Sequence, residues 1–155
     1  MPNDNTILRF SDVTFEYDHH KAILEDASFS LRSGSRVTLM GQNGAGKSSL
    51  FKLITGELKP SEGSISLTPK DASVAIARQV MPLEMMDLTL REYFATAFSE
   101  IRYNLDKLIK EVFEVVNVDL PIDKKVKELS GGQQARILLA HALIQNPDLL
   151  LLIAK

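Results

Sequence analysis

The chain has 155 residues, 45% apolar and 25% charged, the length and mix of one globular domain and not of a disordered or collagen-like segment. Its 18 basic residues stand against 20 acidic ones, a net charge of −2, so no overall basic excess advertises a nucleic-acid partner. It has no cysteine, which excludes disulfides, thiolate metal sites and cysteine nucleophiles.

The opening Met1-Pro2-Asn3-Asp4-Asn5 is polar and lacks the basic-then-apolar pattern of a signal peptide. Val13, Phe15 and Tyr17 alternate with Thr14 and Glu16, which predicts a half-buried strand, and Ala27 to Leu31 alternates likewise. Arg32-Ser33-Gly34-Ser35 reads as a turn. The apolar run Val37 to Met40 ends at Gly41 and predicts a buried central strand. Leu50, Phe51, Leu53 and Ile54 mark a helical stripe stopped by Gly56. Lys59 to Gly63 reads as a loop, and Ile65/Leu67 and Val74/Ile76 as two further strands.

The later half is helical in texture. Leu105, Leu108, Ile109, Val112 and Val116 share one face of an amphipathic helix. Ala135, Leu138, Leu139, Ala142 and Leu143 repeat the pattern until Asn146-Pro147 stops it. Leu149 to Ile153 resembles a buried strand. The longest apolar run, Leu149 to Ala154, is far short of the roughly 20 residues of a spanning helix, so no direct membrane insertion and a cytoplasmic location are expected. The predicted class is α/β: a parallel core sheet with an antiparallel β portion and a helical insertion.

Gly41-Gln42-Asn43-Gly44-Ala45-Gly46-Lys47-Ser48 fits G-x-x-x-x-G-K-[ST] between an apolar strand and a helix. Glycines let the backbone wrap closely, so successive N–H groups converge on an anion, and the following helix adds its positive end. Lys47 would reach the terminal phosphates, and the Ser48 hydroxyl would coordinate Mg²⁺. A second motif, Leu129-Ser130-Gly131-Gly132-Gln133, opens the helix that runs to Gln145. Taken alone, Ser130 is equally a helix cap.

Together the motifs resemble the ATP-binding cassette (ABC) ATPase family, whose fold is of the P-loop NTPase type, over nearly the whole chain. Gly41 to Ser48 is similar to the Walker A motif, and Leu129 to Gln133 to the family signature. Gln79, just after the Val74–Ala77 strand, is similar to the Q-loop glutamine, and Tyr17 to the aromatic that stacks on adenine. The resemblance implies an ATP and Mg²⁺ site that includes Tyr17, Gly41, Asn43, Gly44, Ala45, Gly46, Lys47, Ser48 and Ser49. Ser130, Gly131, Gly132 and Gln133 would close on nucleotide held by a second cassette, in the same chain or in a dimer. Gln79 would contact the metal or the attacking water. Packing alone remains an alternative for Tyr17, and a plain loop role for Gln79.

The pattern then departs from the family. Ile153 stands where the Walker B Asp belongs and Ala154 where the catalytic Glu belongs. The expectation is a single incomplete nucleotide-binding domain, with core 1–78 and 146–155 and a helical part about 79–145. It should bind ATP with little or no turnover. Three functional readings stand. The short Gly63–Gln79 segment and the run from Ser130 to Asp148 resemble the soluble ABC-F branch, whose members act on the ribosome. The alternatives are the nucleotide-binding subunit of an ABC transporter, partnered by a membrane subunit, and a non-catalytic nucleotide-binding fragment.

Overall fold

A computed structural model describes residues 5–18, 21–42 and 44–152. The chain divides into two compact units, Met1–Ala72 and Ser73–Lys155.

The first unit holds an antiparallel sheet. Its central strand β1 (Thr6–Glu16) pairs on one side with β2 (Ala22–Arg32) and on the other with β3 (Glu62–Leu67). The buried residues of β1 change parity midway, from Leu8 and Phe10 to Val13 and Phe15. Asp12 adopts a positive φ of 49° there, and the register shifts between Phe10 and Val13. This irregularity lets both halves of the strand bury the same face. The Ser28 hydroxyl fixes it, accepting from the Asp12 N–H (2.8 Å) and donating to the Asp12 carboxylate (2.9 Å). Opposite lies Gly63, where an added Cβ would fall 2.2 Å from the Asp12 carbonyl oxygen, so only glycine fits. Glu62 and Gly63 thus belong to β3 and not to the predicted loop. Phe10 and Phe15 are core residues, whereas Phe29 lies at the margin, stacked on Phe10 at 4.4 Å.

Helix α1 (Lys47–Thr55) follows the glycine-rich loop, buries Leu50, Leu53 and Ile54, and ends at Gly56 in the left-handed conformation. The stretch before the loop departs from expectation. Residues 35–40 form no strand, and Val37, Leu39 and Met40 are 66%, 43% and 86% exposed. The composition suits a strand, but ladder hydrogen bonds to a neighbour are what define one. Among the described residues no ladder takes in this stretch, and both edges of β1 are occupied.

In the second unit β4 (Val74–Ala77) and β5 (Leu149–Leu152) form a parallel pair, Val74 opposite Leu149 through Ala77 opposite Leu152. The Asp148 carboxylate accepts from the Ser73 N–H (2.7 Å) and hydroxyl (3.0 Å), while the Asp148 N–H donates to the same hydroxyl (3.0 Å). Three helices pack together: α2 (Leu90–Ala95), α3 (Leu105–Val115) and α4 (Gly131–Leu143), around fully buried Leu90, Phe94, Ile109, Val126 and Ile137. Helix α4 also meets the strand pair, where Ala142 lies against Ala75 and Ala77. The α/β class, with parallel and antiparallel sheets and a helical portion, is the one the sequence predicted.

Candidate functional site

Gly46 ends the loop at φ 95° and serves as N-cap of α1, but it has no side chain to cap with. The first helical bond runs from the Leu50 N–H to the Gly46 carbonyl (2.9 Å), so the N–H groups of Lys47, Ser48 and Ser49 precede the ladder. A helix start without a side-chain cap is an anion site in waiting. Gly46 is demanded twice: by its positive φ, and by Ile23 of β2, whose Cγ2 would lie 2.5 Å from an added Cβ. The loop is braced by the Ala45 N–H donating to the Gln42 carbonyl (3.1 Å). The Lys47 ammonium folds back to donate to the Gly41 carbonyl, inside the same loop. Ser48 is exposed and Ser49 buried. Asn43 lies outside the described residues.

Tyr17 follows β1 and is 55% exposed. Its ring meets Phe15 edge-on (4.9 Å, 79° between planes), and its hydroxyl pairs with Ser49 Oγ at 3.0 Å. The structure therefore gathers Tyr17, Gly41, Gly44, Ala45, Gly46, Lys47, Ser48 and Ser49 in one unit. Among the described residues no cluster of three or more His, Asp or Glu could hold a metal by itself. The exposed hydroxyl of Ser48 is a hard oxygen donor of the kind Mg²⁺ takes.

Gln79, Ser130, Gly131, Gly132 and Gln133 belong to the second unit. Gln79 sits in an exposed bend two residues beyond β4, the position the sequence indicates. Ser130 is the N-cap of α4 in a reciprocal box: its Oγ accepts from the Gln133 N–H (3.2 Å), and Gln133 Oε1 accepts from the Ser130 N–H (3.0 Å). The capping role is thus real, and it leaves Gly131 and Gly132 facing open space, where an added Cβ would meet nothing within 4 Å.

Sequence reasoning gave Arg136 no site role. The structure places it beside Ser130, Gly132 and Gln133 on a cleft of about 330 Å³, its Nη1 donating to the Asn117 carbonyl (2.9 Å). The signal available was its spacing, four residues after Gly132 and three after Gln133, which puts it on their helical face. His141 plays a packing role: it stacks on Tyr93 (4.4 Å, 29°) and shares a 3.0 Å hydrogen bond with Thr96 Oγ1. Burial holds its pKa below 6.5, against the raising effect of a backbone bond to Tyr93 and with the help of Arg78's charge. Asp148 is tied to Ser73. Ile153 and Ala154 lie outside the described residues.

The sequence profile of the family described as ABC transporter matches residues 24–152. The zinc import ATP-binding protein ZnuC of Wolbachia sp. subsp. Brugia malayi is 30% identical over 149 residues, taking in 96% of this chain and 60% of that protein. The chelated iron transport system membrane protein YfeB of Yersinia pestis is 35% identical over 156 residues, 91% of this chain and 53% of that protein. The chain spans 36% to 60% of the length of such curated relatives. Among solved structures, cbiO1 of Clostridium perfringens, part of the transporter complex cbiONQ, superposes with a TM-score of 0.82 at 23% identity, over 96% of this chain and 65% of that one. A nucleotide-free ATP-binding cassette from an ABC transporter gives 0.78 at 24% identity, over 97% and 70%. At those identities the likeness establishes the fold. The named relatives are transport proteins, so they favour the transporter alternative over the ABC-F branch.

Proposed function

The chain belongs to the ABC transporter family, and from that premise we propose that it binds Mg-ATP on residues 41–49 as the nucleotide-binding part of a transporter ATPase subunit. The observation that carries the reading is the α1 start: a glycine turn, no side-chain cap, and Lys47 folded onto the same loop. Backbone N–H groups of Lys47, Ser48 and Ser49 would hold the phosphates, and the Lys47 ammonium would leave the Gly41 carbonyl for the terminal phosphates. Bound Mg²⁺ would neutralise phosphate charge, held on the protein side by Ser48. Tyr17 would offer its ring to adenine. Ser130, Gly131 and Gly132 would complete the site of a facing cassette, in the same chain or in a dimer.

In intact family members this arrangement hydrolyses ATP. Ile153 and Ala154 supply no carboxylate to hold metal or polarise water, so this chain should bind nucleotide with little turnover. A transporter role makes a membrane subunit the partner, at the cytoplasmic face; no helix among the described residues is long and apolar enough to cross a membrane.

Calorimetry tests the site. Replacing Lys47 with Ala removes a charge-assisted contact of roughly 1.5–3 kcal/mol, so ATP affinity should fall about 10- to 150-fold. Equal affinity for both forms overturns the assignment of Lys47. The transporter role is tested in the genome: a neighbouring permease gene supports it, and a second cassette continuing in the same protein returns the reading to ABC-F.

A further inference from the structure

The chain has no cysteine and no tryptophan, so mild peroxide chemistry falls on its five methionines. Three of them, Met81, Met85 and Met86, lie within six residues, in the stretch that joins Gln79 to α2. All three pack on the helical core of the second unit: Met81 is buried, and Met85 and Met86 are half-buried at its margin. Their neighbours Val80 and Leu83 are exposed. Thioethers therefore seat this stretch. Its regular structure is a single 3-10 turn, Leu83–Met85, in which the Met85 N–H donates to the Pro82 carbonyl (3.0 Å).

The end of the stretch is tied by backbone to the segment leading into α4. The Lys127 N–H donates to the Met86 carbonyl and the Val126 N–H to the Leu88 carbonyl, both at 2.9 Å. The Lys127 ammonium also donates to the Asp87 carboxylate (2.6 Å), but that pair is exposed and adds little. The hold on residues 126 and 127 thus depends largely on how firmly Met85 and Met86 are seated. Ser130, the cap of α4, follows three residues later.

We propose that Met85 and Met86 form a reversible oxidation site, whose sulfoxides unseat residues 81–88 and loosen the turn that leads into α4. A methionine sulfur attacks one oxygen of hydrogen peroxide, the O–O bond breaks, and the departing hydroxide takes the proton from the new S–O–H to leave as water. The sulfur is oxidised by two electrons and the peroxide reduced. The sulfoxide oxygen is a strong acceptor, and returning it to an apolar margin without a donor is unfavourable. A thiol-dependent sulfoxide reductase reverses the step, giving thioether, disulfide and water. The site needs no nucleotide and so stands independently of residues 41–49.

The test is a hydrogen peroxide titration of the whole chain, with peptide mass mapping of each methionine and hydrogen exchange at the Val126 and Lys127 amides. Met40, 86% exposed, is the internal control, because it is oxidised readily and has little packing to lose. Exchange at the two amides should rise about 5- to 30-fold, in step with conversion of Met85 and Met86 and not with that of Met40. Reductase treatment should restore it. In the double variant Met85→Leu, Met86→Leu, a swap that keeps apolar volume, peroxide should leave exchange unchanged. The titration of the unaltered chain decides the matter even if that variant folds poorly. Met85 and Met86 remaining unmodified after Met40 is fully converted would overturn the proposal. So would their conversion with no change in exchange, a loss of protection that the reductase fails to reverse, or the same loss in the double variant, which would place the effect on Met81.

Discussion

Lys47 shows how far a residue's part can be read from its neighbours in sequence. The loop from Gly41 to Ser48 is contiguous, so its spacing alone carries the proposed phosphate-binding role. The Tyr17–Ser49 bond joins residues 32 apart and has no such signature; it became visible only once β1 and α1 were placed. His141 offers a separate test at this scale. Its burial against Tyr93 lowers its pKa beneath 6.5. The unfolded chain takes up that proton near 6.5, the folded chain only at lower pH. Stability from this group is therefore complete above 6.5 and is lost as pH falls through the window below it. His141→Phe should flatten the dependence of urea unfolding on pH across that window. An unchanged slope would show that other groups set the acid sensitivity.

Helix α4 is the element whose sequence is least suited to mere stability. Gly131 and Gly132 stand in its first turn without positive φ and with open space around them. Glycine at interior helical positions costs about 0.5–1 kcal/mol relative to alanine. Gly132→Ala should therefore raise the thermal midpoint of the second unit while leaving ATP binding at residues 41–49 unaltered. The cost would fall on any step that needs a facing cassette to approach α4 closely. Ser130→Ala should do the opposite to stability, losing about 0.5–2 kcal/mol with the cap, and melting curves of the two variants should move in opposite directions. The α4 stripe was legible only in part. Ala135 is exposed, whereas Ile137, Ala140 and Ile144 are buried, because α4 meets both helices and strands and has no single apolar face. Helix α2 was not resolved as a separate element, although Thr89-x-x-Glu92 forms a capping box at its start, with Glu92 held ionised below the usual range by bonds from Thr89.

For the molecule as a whole, the class of fold was readable because strands and helices carry different periods. The stretch before Gly41 was not, because apolar composition cannot name the ladder partner that makes a strand. The Ser73–Asp148 clasp has a consequence in time. It joins residues 75 apart, and closing a chain of that length costs about 4 kcal/mol by the (3/2)RT ln n rule. Parallel pairing of β4 with β5 therefore forms late, after the intervening helices have drawn its ends together. Contacts absent from the folding barrier slow escape from the native state without hastening arrival. In stopped-flow measurements Asp148→Ala should unfold faster and refold at the parent rate. A slowed refolding arm would instead place this strand pair in the folding nucleus, with the helices condensing around it.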